Sequence, residues 1–123
     1  MEPVVYQGMY NALTRDVERE LFPCLRNYGM RFYAYNPLAG GMLTGKHLAI
    51  EQIPDAGRFK RERGYLDRYW KKDYFGVLQE LQAACIDSDI KPVEAAMSWL
   101  VNHSLMDPAK GDGIILGASS LAH

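Results

Sequence analysis

Between residues 36 and 46 the chain reads Asn-Pro-Leu-Ala-Gly-Gly-Met-Leu-Thr-Gly-Lys. A loop with so little bulk lets backbone N–H groups approach an anion closely. Lys46 adds a point charge at its far end. A second small-residue loop, Gly117-Ala118-Ser119-Ser120, follows a short apolar run. Its serines place hydroxyl donors where a following helix would start. These residue types suit the binding of a phosphate or pyrophosphate. A plain strand-to-loop connection, with Lys46 solvated, fits the same residues. Neither a Walker A sequence nor a GxGxxG is present to separate the two readings.

Other chemistries find less support. Cys24 and Cys85 stand far apart without metal-type spacing, and both are predicted to be buried free thiols on apolar helix faces. Lys and Arg number 14 and Asp and Glu 15, for a net charge of −1. That balance gives no electrostatic case for nucleic acid or an anionic membrane. The cluster Lys60, Arg61 and Arg63 is interrupted by Glu62 and followed by Asp67, as in a solvated segment. No secretory leader, membrane-spanning apolar run or lipidation motif is evident, so a cytoplasmic protein is the expectation.

The elements that must position the loops follow from periodicity. A chain of 123 residues, 48% of them hydrophobic, is expected to form one domain. A chain of that size buries roughly two-thirds of its unfolded surface. Residues 3–10 read as a strand, with Val4, Val5 and Tyr6 favouring a pleated surface. Thr14 is placed to cap a helix over 15–28, with Val17, Leu21, Cys24, Leu25 and Tyr28 on its apolar face and Pro23 as an internal breaker. Residues 30–35 form a second strand. Residues 36–64 show little periodicity and read as a long connection of the functional or mobile kind.

The spacing of Tyr74, Val77, Leu78, Leu81 and Cys85 predicts a helix over 67–85. Val93, Ala96, Met97, Leu100 and Val101 predict another over 92–103, with Pro92 in its first turn. Residues 112–117 read as a short strand buried on both sides. The order is that of a parallel α/β fold with right-handed crossovers. In such folds ligands bind outside the carboxyl ends of the strands. Both small-residue loops lie there.

The stretches VYQGMYN (5–11), ELFPCLRNYGMRFYAYNPLAGGMLTGK (20–46), RYW (68–70) and GIILGASS (113–120) carry a resemblance. They resemble the C-terminal half of the aldo-keto reductases, in particular the aflatoxin-aldehyde-reductase-like branch. The resemblance implies an α/β fold that is a partial (β/α)8 TIM barrel. It would be equivalent to strands six to eight with their helices, truncated at both ends. It implies NADPH as cofactor and an aldehyde or ketone of a metabolite or xenobiotic as substrate. By the same resemblance Gln7 would hydrogen-bond the nicotinamide carboxamide, and Tyr35 would stack on the ring. Asn36, Pro37, Leu38, Ala39 and Gly40 would line the pyrophosphate. Lys46 and Arg58 would reach phosphate groups, and Gly117 and Ser119 would meet the adenosine end.

The resemblance also implies what lies elsewhere. The family's proton-donor tyrosine and its aspartate, lysine and histidine partners belong to the N-terminal half of the barrel, and no motif for them is found here. Reduction needs a polarising acid near the carbonyl; Tyr6 and Tyr10 match it by residue type only. An eight-stranded barrel typically takes about 250 residues, and a piece of one leaves raw sheet edges. Self-association, pairing with a complementary half-barrel, aggregation and the product of a truncated gene are all compatible with such a piece. A non-catalytic remnant or interaction subunit is the alternative to a reductase.

Overall fold

The computed structural model describes residues 2–118. Val5–Met9 forms β1, Arg31–Tyr35 forms β2 and Gly113–Ile114 forms β3. They make one parallel sheet in the order β1-β2-β3. The register sets Val5 opposite Arg31 and Met9 opposite Tyr35, with Tyr33 opposite Gly113. The predicted parallel arrangement is therefore present. The third strand is shorter than the predicted span of 112–117. Ile115 N–H still donates to the Ala34 carbonyl at 2.8 Å, but Leu116 is 70% exposed. Gly113 and Ile114 are half-buried, so this strand is not buried on both sides.

The predicted helix over 15–28 is divided. Asp16–Glu18 is a 3-10 turn, and the α-helix α1 spans only Leu21–Asn27. Pro23 has no N–H, and its ring would clash with the carbonyl four residues back in a longer helix. It is tolerated because it falls in the first turn of α1. Thr14 does not cap this helix: Arg15 and Glu20 stand at the two N-cap positions, and Thr14 Oγ1 lies 3.1 Å from the Tyr69 hydroxyl. The buried face of α1 consists of Phe22 and Leu25, while Cys24 and Tyr28 are exposed. The expectation of two buried thiols therefore holds for Cys85 and fails for Cys24.

Strand alternation divides the sheet into two faces. Phe32 and Ala34 join Tyr10, Phe22, Leu25 and Leu100 in one core cluster on the helix side. Gly8 lies on that face because a Cβ there would meet the Phe32 ring at 2.7 Å. Gln7, Met9, Tyr33 and Tyr35 lie on the other face. Asp112, just before β3, ties the two layers together. Its carboxylate accepts Phe32 N–H at 2.8 Å, Asp107 N–H at 2.9 Å and Arg26 Nη1 at 3.0 Å. Burial pushes the Asp112 carboxyl up, but Arg26 and the two amides outweigh it and hold the group below 3.8.

Residues 36–64 are more structured than a long connection. Two 3-10 turns fill Ala39–Thr44, and short helices follow at Arg58–Arg61 (α2) and Arg63–Tyr69 (α3). Pieces of four to seven residues are too brief to show a helical period. The long helix α4 spans Lys72–Asp87, and α5 spans Pro92–Asn102. Pro92 takes the first helical position, and Glu94 accepts Lys91 N–H at 3.2 Å. A second cluster unites Ala39, Met42, Leu43, Phe59, Tyr69, Phe75, Leu78 and Ala96. It seats the loop after β2 on α3, α4 and α5.

Candidate functional site

The site is built where β1 and β2 end. Gln7 is exposed and Tyr35 half-buried, on the same face of neighbouring parallel strands. Gln7 pairs with Tyr33, so Tyr35 lies one diagonal step further toward the carboxyl ends. Tyr6 and Tyr10 lie on the opposite, helix-packed face. Tyr6 stacks on Phe32 with centroids 6.0 Å apart. Tyr10 is fully buried; its hydroxyl donates to Glu18 Oε1 at 2.7 Å and accepts Leu105 N–H at 3.1 Å. Burial, reinforced by Glu18 and opposed by the Leu105 amide, pushes the Tyr10 phenol up to about 12. Neither tyrosine is placed to protonate anything beside Gln7 and Tyr35.

Beyond Tyr35 the chain turns sharply through left-handed backbone. Asn36 has φ 60°, Ala39 φ 51°, Gly40 φ 70° and Gly41 φ 112°. Asn36 holds the turn with its own side chain. Its Oδ1 accepts Gly40 N–H at 2.6 Å, and its carbonyl accepts Ala39 N–H at 3.1 Å. Pro37 and Leu38 are half-buried, whereas Ala39 is 0% exposed. The space in front of Gly40 is taken by Tyr65, whose Cδ1 would lie 2.6 Å from an added Cβ. At Gly45 an added Cβ would lie 2.9 Å from Pro92 Cγ. The absence of bulk in this loop thus has an internal cause: the chain's own rings pack against its backbone.

The predicted cations remain available. Lys46 is exposed and makes no ion pair among the described residues. Arg58 is exposed and sits over the Tyr65 ring, 5.0 Å from its centroid, with Nη1 3.4 Å from the phenol oxygen. Tyr65 therefore brings Arg58 to Gly40, although the two are eighteen positions apart in sequence. Next to Lys46, His47 packs edge-on against Phe59 and Trp70, with centroids 5.2 and 5.4 Å away. Burial, then the neighbouring Lys46 charge, holds the imidazole below 6.5. Gly117 is exposed, with no atom within 4 Å of an added Cβ. Ser119 and Ser120 lie outside the described residues.

Sequence reasoning missed the polar group beneath the loop. The fully buried Tyr69 hydroxyl receives Asn36 Nδ2 at 2.9 Å and Asn11 Nδ2 at 3.3 Å, and Thr14 Oγ1 lies 3.1 Å away. The signal was faint: an Asn at 11 followed by a Thr at 14, and a tyrosine within RYW. Among the described residues no cluster of three His, Cys, Asp or Glu is arranged to hold a metal, and no helix is long and apolar enough to cross a membrane.

Comparison with known proteins decides the family. The model of the aldo/keto reductase family matches residues 1–123. The chain belongs to the aldo/keto reductase family. This aldo/keto reductase chain is 49% identical over 128 residues to human "Aflatoxin B1 aldehyde reductase member 2", covering 97% of the chain and 36% of that protein. It is equally 49% identical to human "Aldo-keto reductase family 7 member A3", with 97% of the chain and 39% of the relative covered. An aldo-keto reductase of Pseudocercospora fijiensis is 39% identical over 123 residues, covering 97% and 42%. The chain thus spans little more than a third of the length of the human relatives it matches. The aldo/keto reductase sheet and loops described above are the region held in common.

Proposed function

We propose that this chain carries the nicotinamide and pyrophosphate side of an NADPH site, in a cytoplasmic reductase of aldehydes or ketones. The observation that carries the reading is the placement of Gln7 and Tyr35 on one face, at the carboxyl ends of adjacent parallel strands. A primary amide and a flat phenol ring at that spacing suit an amide-bearing aromatic ring: the amide hydrogen-bonds its substituent while the phenol stacks on its plane. Arg58 and Lys46 are exposed cations for the phosphates. NADPH, when bound, supplies the hydride.

The chain's own residues divide the remaining work. Pro37 and Leu38 present the accessible part of the loop after Tyr35. Asn36, Ala39 and Gly40 shape that loop: the Asn36 side chain and the Gly40 N–H satisfy each other, and Ala39 is buried. Gly117 and Ser119 would face the adenosine. The proton donor for the carbonyl comes from outside these strands, in keeping with a half-barrel completed by further β/α units.

One observation favours a second reading. Tyr65 packs against Gly40, whose N–H is already held by Asn36 Oδ1. A protein that kept this fold as an interaction subunit, without redox turnover, would have that arrangement.

Titration with NADPH, followed by nicotinamide fluorescence, decides between them. Saturable binding that weakens at least tenfold in Tyr35→Ala and in Lys46→Ala is expected. No saturation with the folded protein overturns the cofactor reading and leaves the interaction subunit.

A further inference from the structure

Left-handed backbone at a non-glycine residue is costly unless the surroundings over-determine it. Asn36 and Ala39 both occupy that region. What holds them is not the loop alone. The Asn36 carbonyl accepts Asn11 Nδ2 at 3.0 Å, and Asn36 Nδ2 donates to the Tyr69 hydroxyl at 2.9 Å. Asn11 is itself held, because its Oδ1 accepts Leu13 N–H at 3.0 Å and Thr14 N–H at 2.9 Å. The loop after β1, the loop after β2 and the end of α3 therefore meet at one phenol oxygen. Both Asn11 and Tyr69 are 0% exposed.

We infer that Asn11 and Tyr69 form a buried clamp that sets the conformation of residues 36–40, and that Tyr69 is a positioning residue for the cofactor loop. Its fully buried hydroxyl meets Asn11, Asn36, Thr14 and Met9. It acts through Asn36, which fixes Gly40 on one side and follows Tyr35 directly on the other. The clamp couples the ends of both strands that carry Gln7 and Tyr35, so ring and amide are held at one separation. The second half of this inference rests on the NADPH reading above; the first half does not.

Tyr69→Phe removes the oxygen alone and keeps the buried ring. One N–H bond from each of the Asn11 and Asn36 amides is then lost, while Asn11 Nδ2 keeps the Asn36 carbonyl. Asn36→Gly keeps the left-handed backbone at no steric cost but loses both the tether to Tyr69 and the acceptor of the Gly40 N–H, so Tyr69→Phe is the variant that isolates the clamp. Amide hydrogen exchange, read by NMR, is compared at Gly40 and at Phe32, whose N–H is held by Asp112 instead. NADPH affinity is measured on the same samples. The expected result is exchange at Gly40 at least tenfold faster in both variants, with Phe32 unchanged, and NADPH bound about tenfold more weakly. Unchanged exchange at Gly40, or an equal rise at Gly40 and Phe32, overturns the clamp. Faster exchange at Gly40 in a protein that binds no NADPH upholds the clamp and overturns the cofactor reading. Faster exchange with unaltered NADPH affinity overturns the positioning role.

Discussion

The Tyr65 ring lies against Gly40 so closely that a methyl group at residue 40 would meet Cδ1 at 2.6 Å. Gly40 also has φ 70°, so two separate costs fall on one position. Gly40→Ala is expected to destabilise the protein by about 3 kcal/mol, combining left-handed strain with displacement of a packed ring. Gly29 isolates the first cost: its φ is 63° but no atom lies within 4 Å of an added Cβ. Gly29→Ala should cost only about 1 kcal/mol. Urea denaturation of both variants measures the difference, and equal losses would refute the packing argument.

Asp112 makes the fold sensitive to acid. Its folded-state pKa lies below the ordinary value, so the ionised form stabilises the folded chain. That contribution is complete above about pH 4 and is lost as the pH falls through the depressed folded value. Asp112→Asn removes the charge that Arg26 faces and weakens the acceptor for two amides. At neutral pH it should cost about 2–3 kcal/mol. The acid arm of the melting temperature against pH should also flatten in the variant. A parallel shift, with the slope retained, would assign the acid sensitivity elsewhere.

His47 adds a response at milder pH. Its imidazole is held neutral among Phe59 and Trp70, with a pKa below 6.5. The neutral form is the one the fold favours, so this contribution is complete above the unfolded value. It is lost as the pH falls below about 6.5 through the folded value. Protonation should loosen the contact of residues 45–59 with α3. Tryptophan fluorescence from Trp70 should therefore change as the pH falls below about 6.5. His47→Phe should abolish that transition while keeping the ring packing.

Several elements were legible because their residues carry a period of their own. Arg31–Tyr35 alternates in burial as a strand does, whereas Val5–Met9 does not and is marked by its β-branched and aromatic residues instead. Leu78 with Cys85, and Ala96 with Leu100, keep helical spacing and are buried. The buried stripe was less legible. Phe22 and Phe75 are core residues, while Val77 and Val101 are 49% and 63% exposed. Periodicity ranks apolar positions around a helix, but only the neighbours decide which of two adjacent stripes is covered. Cys24 is exposed for that reason, since α1 starts at Leu21 and turns Phe22 and Leu25 inward.

By itself the sequence determined the parallel strand-helix order, the glycine-rich turn after β2, and the residue types that could meet a dinucleotide. Those follow from local preferences and from the stretches shared with the aldo/keto reductase family. The tertiary structure alone decided what surrounds them. It put Tyr65 against Gly40, drew Arg58 to that ring, and joined Asn11, Asn36 and Tyr69 at one hydroxyl. These partners are separated by 25 to 58 positions in the case of Asn11. No local pattern encodes such a meeting, because it depends on how strands and helices pack and on buried amides requiring a partner.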